Sequence, residues 1–354
     1  MDAKKYKVLG VMSGTSLDGI DCAVIEFELK DNQWSFDIIF GETLKYSNEW
    51  IRSLQSAIYL SNSELDLLNE NYTDYLGEIL QNFLLKNNLN DLDFISSHGH
   101  TILHRPNDGF TLQIGNLPAI KKYFSIPFIC DFRVQDVKLG GQGAPLVPIG
   151  DELLFTNYTS CLNLGGFSNV SFNSEGKRLA YDICPINTLL NYFSLKLGYE
   201  YDDQGKLAKS GFINETLLNE LSTISYYKQK GPKSLGMEQV NSIYLPIIAK
   251  YNLETPSILA TLVEHMAQQI ALVLNKITGV TLVTGGGAHN MYLIDRIKFY
   301  LKNTTLEIGS KELIEFKEAL IFAFLGVLRF TNTVNVLSSV TGARKDHCSG
   351  IIFR

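Results

Sequence analysis

The sequence predicts an α/β protein that is built from two related halves. Apolar runs of strand length alternate with a helix-like segment at residues 63–86, and polar residues collect in the loops between them. Each half begins with an apolar run, a turn rich in Gly and Ser, and a second apolar run, at residues 8–27 and 159–172. This repetition indicates a duplicated fold in which the two turns face each other.

The composition is that of an ordinary globular protein. The chain has 354 residues, of which 45% are hydrophobic and 19% are charged, and this length suggests two domains. The net charge of −6, without a block of Lys or Arg, argues against nucleic-acid and membrane-surface partners. The five cysteines are scattered and form no CxxC pair, which argues against a disulfide framework and a zinc site.

The apolar runs favour a cytoplasmic protein. The longest run, at residues 320–328, is far shorter than the roughly 20 residues that a membrane-spanning helix needs. The first residues break into Ser, Gly and Thr too soon for a signal peptide. We therefore expect neither secretion nor a membrane anchor.

The first turn, SGTSLDG, joins predicted strands at residues 6–12 and 22–29. Asp18-Gly19 favours a chain reversal, because Gly tolerates positive φ and Asp can bond to its own backbone. Backbone amides and the Ser and Thr hydroxyls could donate to a phosphate, while Asp18 and Asp21 could hold a magnesium ion. A turn without a ligand has the same composition, and the P-loop pattern is absent here.

The rest of the first half is predicted to contain a helix, two short strands and a long loop. The helix begins at a capping box formed by Ser63 and Asp66. The strands lie at residues 94–98 and 126–131. Residues 131–148 are rich in Gly and Pro, and we expect them to form a long loop between the halves.

The second half continues with a helix, a strand and a glycine-rich turn. The helix, at residues 256–275, has Thr255 as its cap and Pro256 at its first position. The strand, at residues 280–284, runs into three glycines at 285–287. These glycines could admit a nucleotide or only turn the chain, and the Rossmann pattern GxGxxG fails at its third glycine.

Several polar side chains are candidates for chemistry, and each has a plainer alternative. His98, His100 and His104 could bind zinc or be hydrogen-bonded loop residues. Asp182 follows a strand-like segment and could be a general base or cap the next helix. Cys184 could be a nucleophile if a histidine lies nearby in the fold.

Three charged residues have the same ambiguity. Arg133 and Lys233 could bind a phosphate or a carboxylate, or be solvated surface charges. Glu318 lies in a mostly apolar segment that resembles a helix. Its carboxylate is therefore either on the wet face or a buried functional group.

A series of fragments, taken in order, resembles one family. They include GVMSGTSLDGIDCAV, SSHGHTILHRP, DFRVQDVKLGGQGAPLVP, LNLGGFSNV, YDDQGKLAKSG, VTGGGAHN and VTGAR. Over nearly its whole length the chain resembles the anhydro-N-acetylmuramic acid kinases, of the hexokinase/Hsp70/actin-like superfamily. The resemblance implies two related actin/RNase H-like domains with mixed sheets around a central cleft. These would be residues 1–132 and 133–354, with the last segment packing back on the first domain.

The resemblance also implies a reaction. ATP and water would convert 1,6-anhydro-N-acetylmuramic acid, from turnover of the cell wall, into N-acetylmuramic acid 6-phosphate and ADP. Mg²⁺ is the expected ion and a homodimer the implied assembly. Two alternatives stay open: a kinase of this fold for another amino sugar, and a non-catalytic, nucleotide-dependent binding protein that would not need Asp182.

The same resemblance assigns roles to individual residues. Asp182 matches the general base, and Glu318 would help to position the water that this base activates. The substrate-binding residues would be Ser13, His98 and Arg133. The ATP-binding residues would be Gly14, Thr15, Ser16, Leu17, Asp18, Gly19, Ile20, Asp21, Gly165, Gly285, Gly286 and Gly287. The metal ligands would be Asp18 and Asp21.

The chain departs from the family at the segment that begins with Asp182. The family pattern D-T-G-P-G-N is DICPIN here, with Ile183, Cys184 and Ile186 in place of Thr and two glycines. Ile cannot simply replace a glycine that needs positive φ. We therefore expect either a different backbone in this segment or glycines that never needed such angles.

Overall fold

The computed structural model of the protein describes residues 3–354. The chain forms two compact units, of which the first runs to Leu154 and includes Phe316–Arg354, and the second is Phe155–Glu315. The first unit extends past residue 132, where the sequence suggested a boundary. It does so because the helices that follow pack on strands of the first sheet. The division at 132/133 stays a prediction.

Each unit contains a β-sheet. The strands are β1 (Lys4–Ser13), β2 (Ile20–Lys30), β3 (Gln33–Leu44), β4 (Phe94–Arg105), β5 (Phe110–Ile114), β6 (Phe128–Cys130), β7 (Ser160–Leu164), β8 (Phe167–Ser174), β9 (Lys177–Pro185), β10 (Gly279–Thr284), β11 (Thr304–Ile308) and β12 (Ile351–Phe353). Both predicted hairpins are confirmed, as β1–β2 and β7–β8.

The seven-stranded first sheet contains the same five-stranded arrangement as the second sheet. In the first unit the order is β12-β6-β4-β1-β2-β3, with β5 on β4, and β1 pairs antiparallel with β2 but parallel with β4. In the second unit the order is β11-β10-β7-β8-β9, and β7 pairs antiparallel with β8 but parallel with β10. The prediction of an α/β protein with two related units and mixed sheets is confirmed.

The helices lie between and after these strands. They are α1 (Asn48–Ser56), α2 (Asn62–Lys86), α3 (Val134–Lys138), α4 (Val147–Leu154), α5 (Asn187–Leu195), α6 (Lys206–Ser210), α7 (Glu215–Ser222), α8 (Met237–Gln239), α9 (Leu245–Ala249), α10 (Thr255–Leu274), α11 (Met291–Tyr300), α12 (Lys311–Phe330) and α13 (Ser338–Thr341). Each unit has its own apolar core, which α2 helps to form in the first unit and α10 in the second.

The predicted helix caps are each displaced along the chain. The α2 capping box is Ser61 with Glu64, not Ser63 with Asp66, and the Glu64 Oε2 accepts from the Ser61 amide at 2.8 Å. The α10 cap is Glu254, and Thr255 is the first helical residue. Caps are set by local backbone angles, which the sequence constrains to within a residue or two.

Residues 131–148 are not the uninterrupted loop that the sequence predicted. They contain α3 and the beginning of α4, around the fully buried Asp136. The Asp136 Oδ2 accepts from the Gly143 amide at 2.7 Å, and its Oδ1 accepts from Thr341 Oγ1 at 2.8 Å. This carboxylate orders the segment through a partner that is 205 residues away in the chain, which no local pattern reveals.

Helix α10 is the apolar helix of the second core. Within residues 3–354 it alone has the length and composition to cross a membrane, and 78% of its apolar stretch is buried inside the protein. A core helix passes the same test, so the finding is weak evidence for a membrane span.

Candidate functional site

The turn between β1 and β2 reverses at a different residue from the one predicted. Leu17 has the left-handed φ of 62°, and its amide donates to the Gly14 carbonyl at 3.3 Å. Gly19 keeps an ordinary φ, but a Cβ there would lie 2.7 Å from the Leu44 carbonyl oxygen. Gly19 is therefore needed for close packing and not for a positive φ.

The other side of this turn is open and polar. A Cβ on Gly14 would meet nothing closer than the Ser16 Oγ, at 3.5 Å. Thr15 and Ser16 are exposed, and Ser16 Oγ donates to Asp18 Oδ1 at 2.7 Å. Short side chains and a glycine let backbone amides approach an anion closely, so the turn fits a phosphate group.

Asp18 and Asp21 lie at the end of this turn. The Thr43 hydroxyl donates to Asp21 Oδ1 at 2.6 Å. Among residues 3–354, no group of three or more His, Cys, Asp or Glu side chains could hold a metal ion. Mg²⁺ usually takes one or two carboxylates, with water and phosphate oxygens as its other ligands, and such a pair of aspartates fits that chemistry.

Ser13, predicted to bind substrate, has its hydroxyl inside a buried network. The Ser13 Oγ lies 2.6 Å from the Tyr46 hydroxyl and 2.7 Å from His100 Nδ1. Tyr46 in turn bonds to the Tyr72 hydroxyl at 2.5 Å. Burial lowers the pKa of His100 to about 4, so its ring is neutral. The network fixes the end of β1, where the turn begins.

His98 and Arg133, also predicted to bind substrate, are bonded to each other. The Arg133 Nε–H donates to His98 Nε2 at 2.9 Å, and its Nη1 donates to the Gly143 carbonyl at 2.7 Å. Burial lowers the pKa of Arg133 to about 10, and the charge of Glu318 opposes this shift. The guanidinium nevertheless stays charged at neutral pH.

Glu318 lies on α12, on the solvent-exposed face, and near enough to Asp18 and Asp21 for their charges to act on it. Desolvation raises its pKa although the side chain contacts solvent; the Arg133 charge opposes that effect and the Asp21 charge adds to it. The preceding residue, Lys317, is buried and pairs with Asp151 at 2.8 Å. The first unit thus brings Glu318, Arg133 and the turn close enough for their charges to interact.

The sequence places Asp182 directly after a strand-like segment, but in the structure Asp182 lies within β9. Its Oδ2 accepts from the Leu235 amide at 2.8 Å, and its own amide donates to the Lys233 carbonyl at 3.0 Å. The Tyr226 hydroxyl donates to the Asp182 carbonyl at 2.7 Å. Burial raises the pKa of Asp182, and the Leu235 N–H partly offsets this.

Two partners of Asp182, Tyr226 and Leu235, could not be predicted from the sequence. They are 44 and 53 residues from Asp182 in the chain, and Leu235 acts through its backbone amide. A backbone donor leaves no signature in residue type. The Lys233 Nζ, a predicted anion ligand, donates to the Tyr226 carbonyl at 3.0 Å and lies 4.3 Å from the centre of the Tyr226 ring.

The altered segment DICPIN has an irregular backbone: the β8–β9 register shifts opposite Ile183, and Ile186 has φ −121° and ψ −98°, outside the helical and extended regions. None of residues 182–187 has a positive φ. Ile183, Cys184 and Ile186 are buried in the second core. The segment thus avoids left-handed angles, but its backbone is irregular, in line with the first of the two alternatives, and the larger side chains add to the core.

Cys184 does not have the environment of a nucleophile. Burial raises the pKa of its thiol to about 12, and its Sγ lies 3.3 Å from Ser168 Oγ. A reactive cysteine needs a thiolate near neutral pH, which this environment disfavours.

The two glycine turns of the second unit pack against each other. Gly285 has a φ of 81°, and a Cβ there would lie 2.5 Å from Asn163 Oδ1. A Cβ on Gly287 would lie 2.9 Å from the Leu164 side chain, close to Gly165. By contrast, a Cβ on Gly286 would meet only Asn187 Nδ2 at 3.8 Å. Gly286 therefore leaves room for a ligand, while Gly285 and Gly287 serve the packing.

Sequence comparisons with known proteins identify one family. A family model described as anhydro-N-acetylmuramic acid kinase matches residues 6–354. A kinase of that name from Mannheimia succiniciproducens is 36% identical, over 99% of both chains. The relative from Hydrogenovibrio crunogenus is 34% identical, over 98% of this chain and 97% of its own, and that from Haemophilus influenzae is 33% identical, over 100% and 99%.

Proposed function

This chain belongs to the anhydro-N-acetylmuramic acid kinase family, and from that membership we propose that it is an ATP-dependent kinase that opens 1,6-anhydro-N-acetylmuramic acid and phosphorylates its O6. The observation that carries the proposal is the full-length match to that family. The retained Asp182, whose carboxylate is held by the Leu235 amide, supports it.

We assign the general base to Asp182. The carboxylate would take a proton from a water molecule as the water oxygen bonds to the anomeric carbon and the bond from that carbon to O6 breaks. The Leu235 N–H occupies Oδ2, so Oδ1 is the oxygen proposed to receive the proton. Its raised pKa makes this carboxylate a better base than an exposed aspartate.

We assign phosphate binding to the turn from Gly14 to Asp21. The freed O6 would attack the γ-phosphorus and ADP would leave, a transfer that depends mainly on positioning and charge neutralisation. Amides and hydroxyls of the turn would donate to phosphate oxygens. Asp18 and Asp21 would hold Mg²⁺, which supplies charge neutralisation when bound. The homodimer and the cytoplasmic location stay predictions.

The rate should depend on pH through Asp182. Its pKa is raised above the ordinary 3.8, and only the deprotonated base can accept a proton. We expect kcat to fall as the pH drops through this raised pKa and to be level above it. A kcat profile at saturating ATP and sugar measures this; a rate that stays level down to pH 3.8 would contradict the assignment.

A coupled ADP-release assay tests the function. We expect ADP release with 1,6-anhydro-N-acetylmuramic acid, and far less with N-acetylmuramic acid or N-acetylglucosamine. Preference for another amino sugar would favour the related kinase that the DICPIN segment suggests. If none of the sugars leads to ADP release, neither kinase is supported. Tight ATP binding without any turnover would then favour a nucleotide-dependent binding protein.

A further inference from the structure

His98 has no atom left with which to bind a substrate. Its side chain lies in β4, is 4% exposed, and packs with its ring centre 4.5 Å from that of Phe322. Nδ1 lies 2.9 Å from the Gly99 carbonyl oxygen, and Nε2 lies 2.9 Å from the Arg133 Nε. Both ring nitrogens are therefore engaged within the protein.

These two contacts determine the tautomer of His98. A carbonyl oxygen only accepts, so Nδ1 carries the proton that bonds to Gly99. Nε2 is then a lone pair, which is the partner that the Arg133 Nε–H requires. Burial and the Arg133 charge both lower the pKa of His98, in agreement with a neutral ring. The histidine is thus a fixed acceptor for the arginine.

Arg133 retains unused donors. Of the five N–H groups of a guanidinium, one bonds to His98 and one to Gly143. Within the described residues 3–354, its hydrogen bonds use only Nε and Nη1, so Nη2 has no partner there, and no ion pair joins the guanidinium to Glu318. The guanidinium is aimed by a neutral histidine and a carbonyl, and the charges of Glu318 and Asp136 act on it without a direct ion pair.

We propose that His98 is a positioning residue, which holds the Arg133 guanidinium so that its Nη2 binds an anionic group of a ligand. The chemistry suits a pair of anionic oxygens, in a carboxylate or a phosphoryl group. In the proposed function, on which the choice of ligands rests, these are the lactyl carboxylate of the sugar and the phosphates of ATP.

The test measures binding by calorimetry, so that it does not depend on turnover. The ligands are ATP, 1,6-anhydro-N-acetylmuramic acid, and 1,6-anhydro-N-acetylglucosamine, which lacks the carboxylate. We expect His98→Leu to weaken the affinity for one anionic ligand roughly ten- to hundredfold, the usual effect of a lost bond to a charged group. His98→Gln should recover most of that affinity, because an amide oxygen can accept from the Arg133 Nε.

A double-mutant cycle separates positioning from a general structural role. In the background of Arg133→Met, His98→Leu should weaken binding no further, since the histidine acts only through the arginine. If the sugar carboxylate is the anion, wild type should bind 1,6-anhydro-N-acetylglucosamine about as weakly as the variants bind 1,6-anhydro-N-acetylmuramic acid. If a phosphate is the anion, only the ATP affinity should change.

His265→Leu is the matched control, because His265 is equally buried, at 2%, and lies in the other unit. We expect it to lower the melting temperature and to leave both ligand affinities within about twofold. Three results would each overturn the proposal. The affinity losses of His98→Leu and Arg133→Met could multiply in the double variant, His98→Gln could fail to recover affinity, or Arg133→Met could leave all affinities unchanged. Intact coupling in binding together with no ADP release would instead count against the proposed function alone.

Discussion

Asp182→Asn should lower turnover roughly a hundred- to ten-thousandfold while the protein stays folded. A general base contributes roughly a hundred- to ten-thousandfold to the rate, and an amide cannot accept the proton from water. The Asn oxygen can still accept from the Leu235 amide, so the local geometry should persist. Single-turnover and steady-state assays with the anhydro sugar measure the loss, and ATP binding should be unchanged.

The stability of this variant has a predicted sign. Burial raises the pKa of Asp182 above its value in the unfolded chain, so the folded state binds the proton more tightly. Above the raised pKa the carboxylate therefore destabilises the fold, and this cost declines as the pH falls through that pKa. Because Asn carries no charge, the melting temperature at neutral pH should equal or exceed that of wild type.

Asp203→Asn is the control for Asp182→Asn. Asp203 lies in the same unit, and its exposed carboxylate pairs with Lys206 at 2.5 Å. An exposed pair contributes little, so this variant should keep its rate and its melting temperature. Should Asp182→Asn retain a rate within about threefold of Asp203→Asn, the assignment of the base is wrong.

Gly10→Val should destabilise the first unit strongly. Gly10 lies in β1 against α12, and a Cβ there would be 2.2 Å from the Ala319 carbonyl oxygen and 2.9 Å from the Ala323 Cβ. The obstacle is backbone, which cannot rotate away, so the helix must shift. We expect a loss at or above the upper end of the about 1–3 kcal/mol typical of overpacking. Thermal and urea unfolding, followed by circular dichroism, measure it.

Gly10→Val should also lower the rate of turnover, because Glu318 directly precedes Ala319 and would shift with α12.

Gly14→Ala is the matched control for stability in the same hairpin, since a Cβ there meets only Ser16 Oγ at 3.5 Å. Its unfolding free energy should stay within about 0.5 kcal/mol of wild type. If Gly10→Val has the same unfolding free energy as Gly14→Ala, β1 and α12 do not pack this closely.

Much of the fold could be predicted from the sequence because its signals are local. An apolar run, a Gly/Ser turn and a second apolar run specify a hairpin wherever they occur, and both examples are confirmed. The apolar spacing of α2 and the Pro at the start of α10 likewise act within one element. The errors at this level were small, such as a capping box displaced along the chain, or came from α3, which is only five residues long.

Glycines show where local reasoning failed. Gly19 was expected to supply a positive φ, but Leu17 has that angle and Gly19 instead makes room for the Leu44 carbonyl. Ile186 stands where the family pattern has glycine; its φ of −121° is not left-handed, but its ψ of −98° lies outside the helical and extended regions, so the backbone is unusual there. A glycine in a sequence shows only that a side chain is absent. The structure shows whether a positive φ or a close contact with a neighbouring atom requires that absence.

The sequence by itself determined the family, the paired hairpins and the residue types offered for chemistry, because these depend on the order of neighbouring residues. Only the tertiary structure decided what those residues do. It placed His98 against Arg133 across 35 residues, and the Leu235 amide against Asp182 across 53. It also set the direction of their pKa shifts, because burial and the proximity of charges are properties of the packed chain and not of its order.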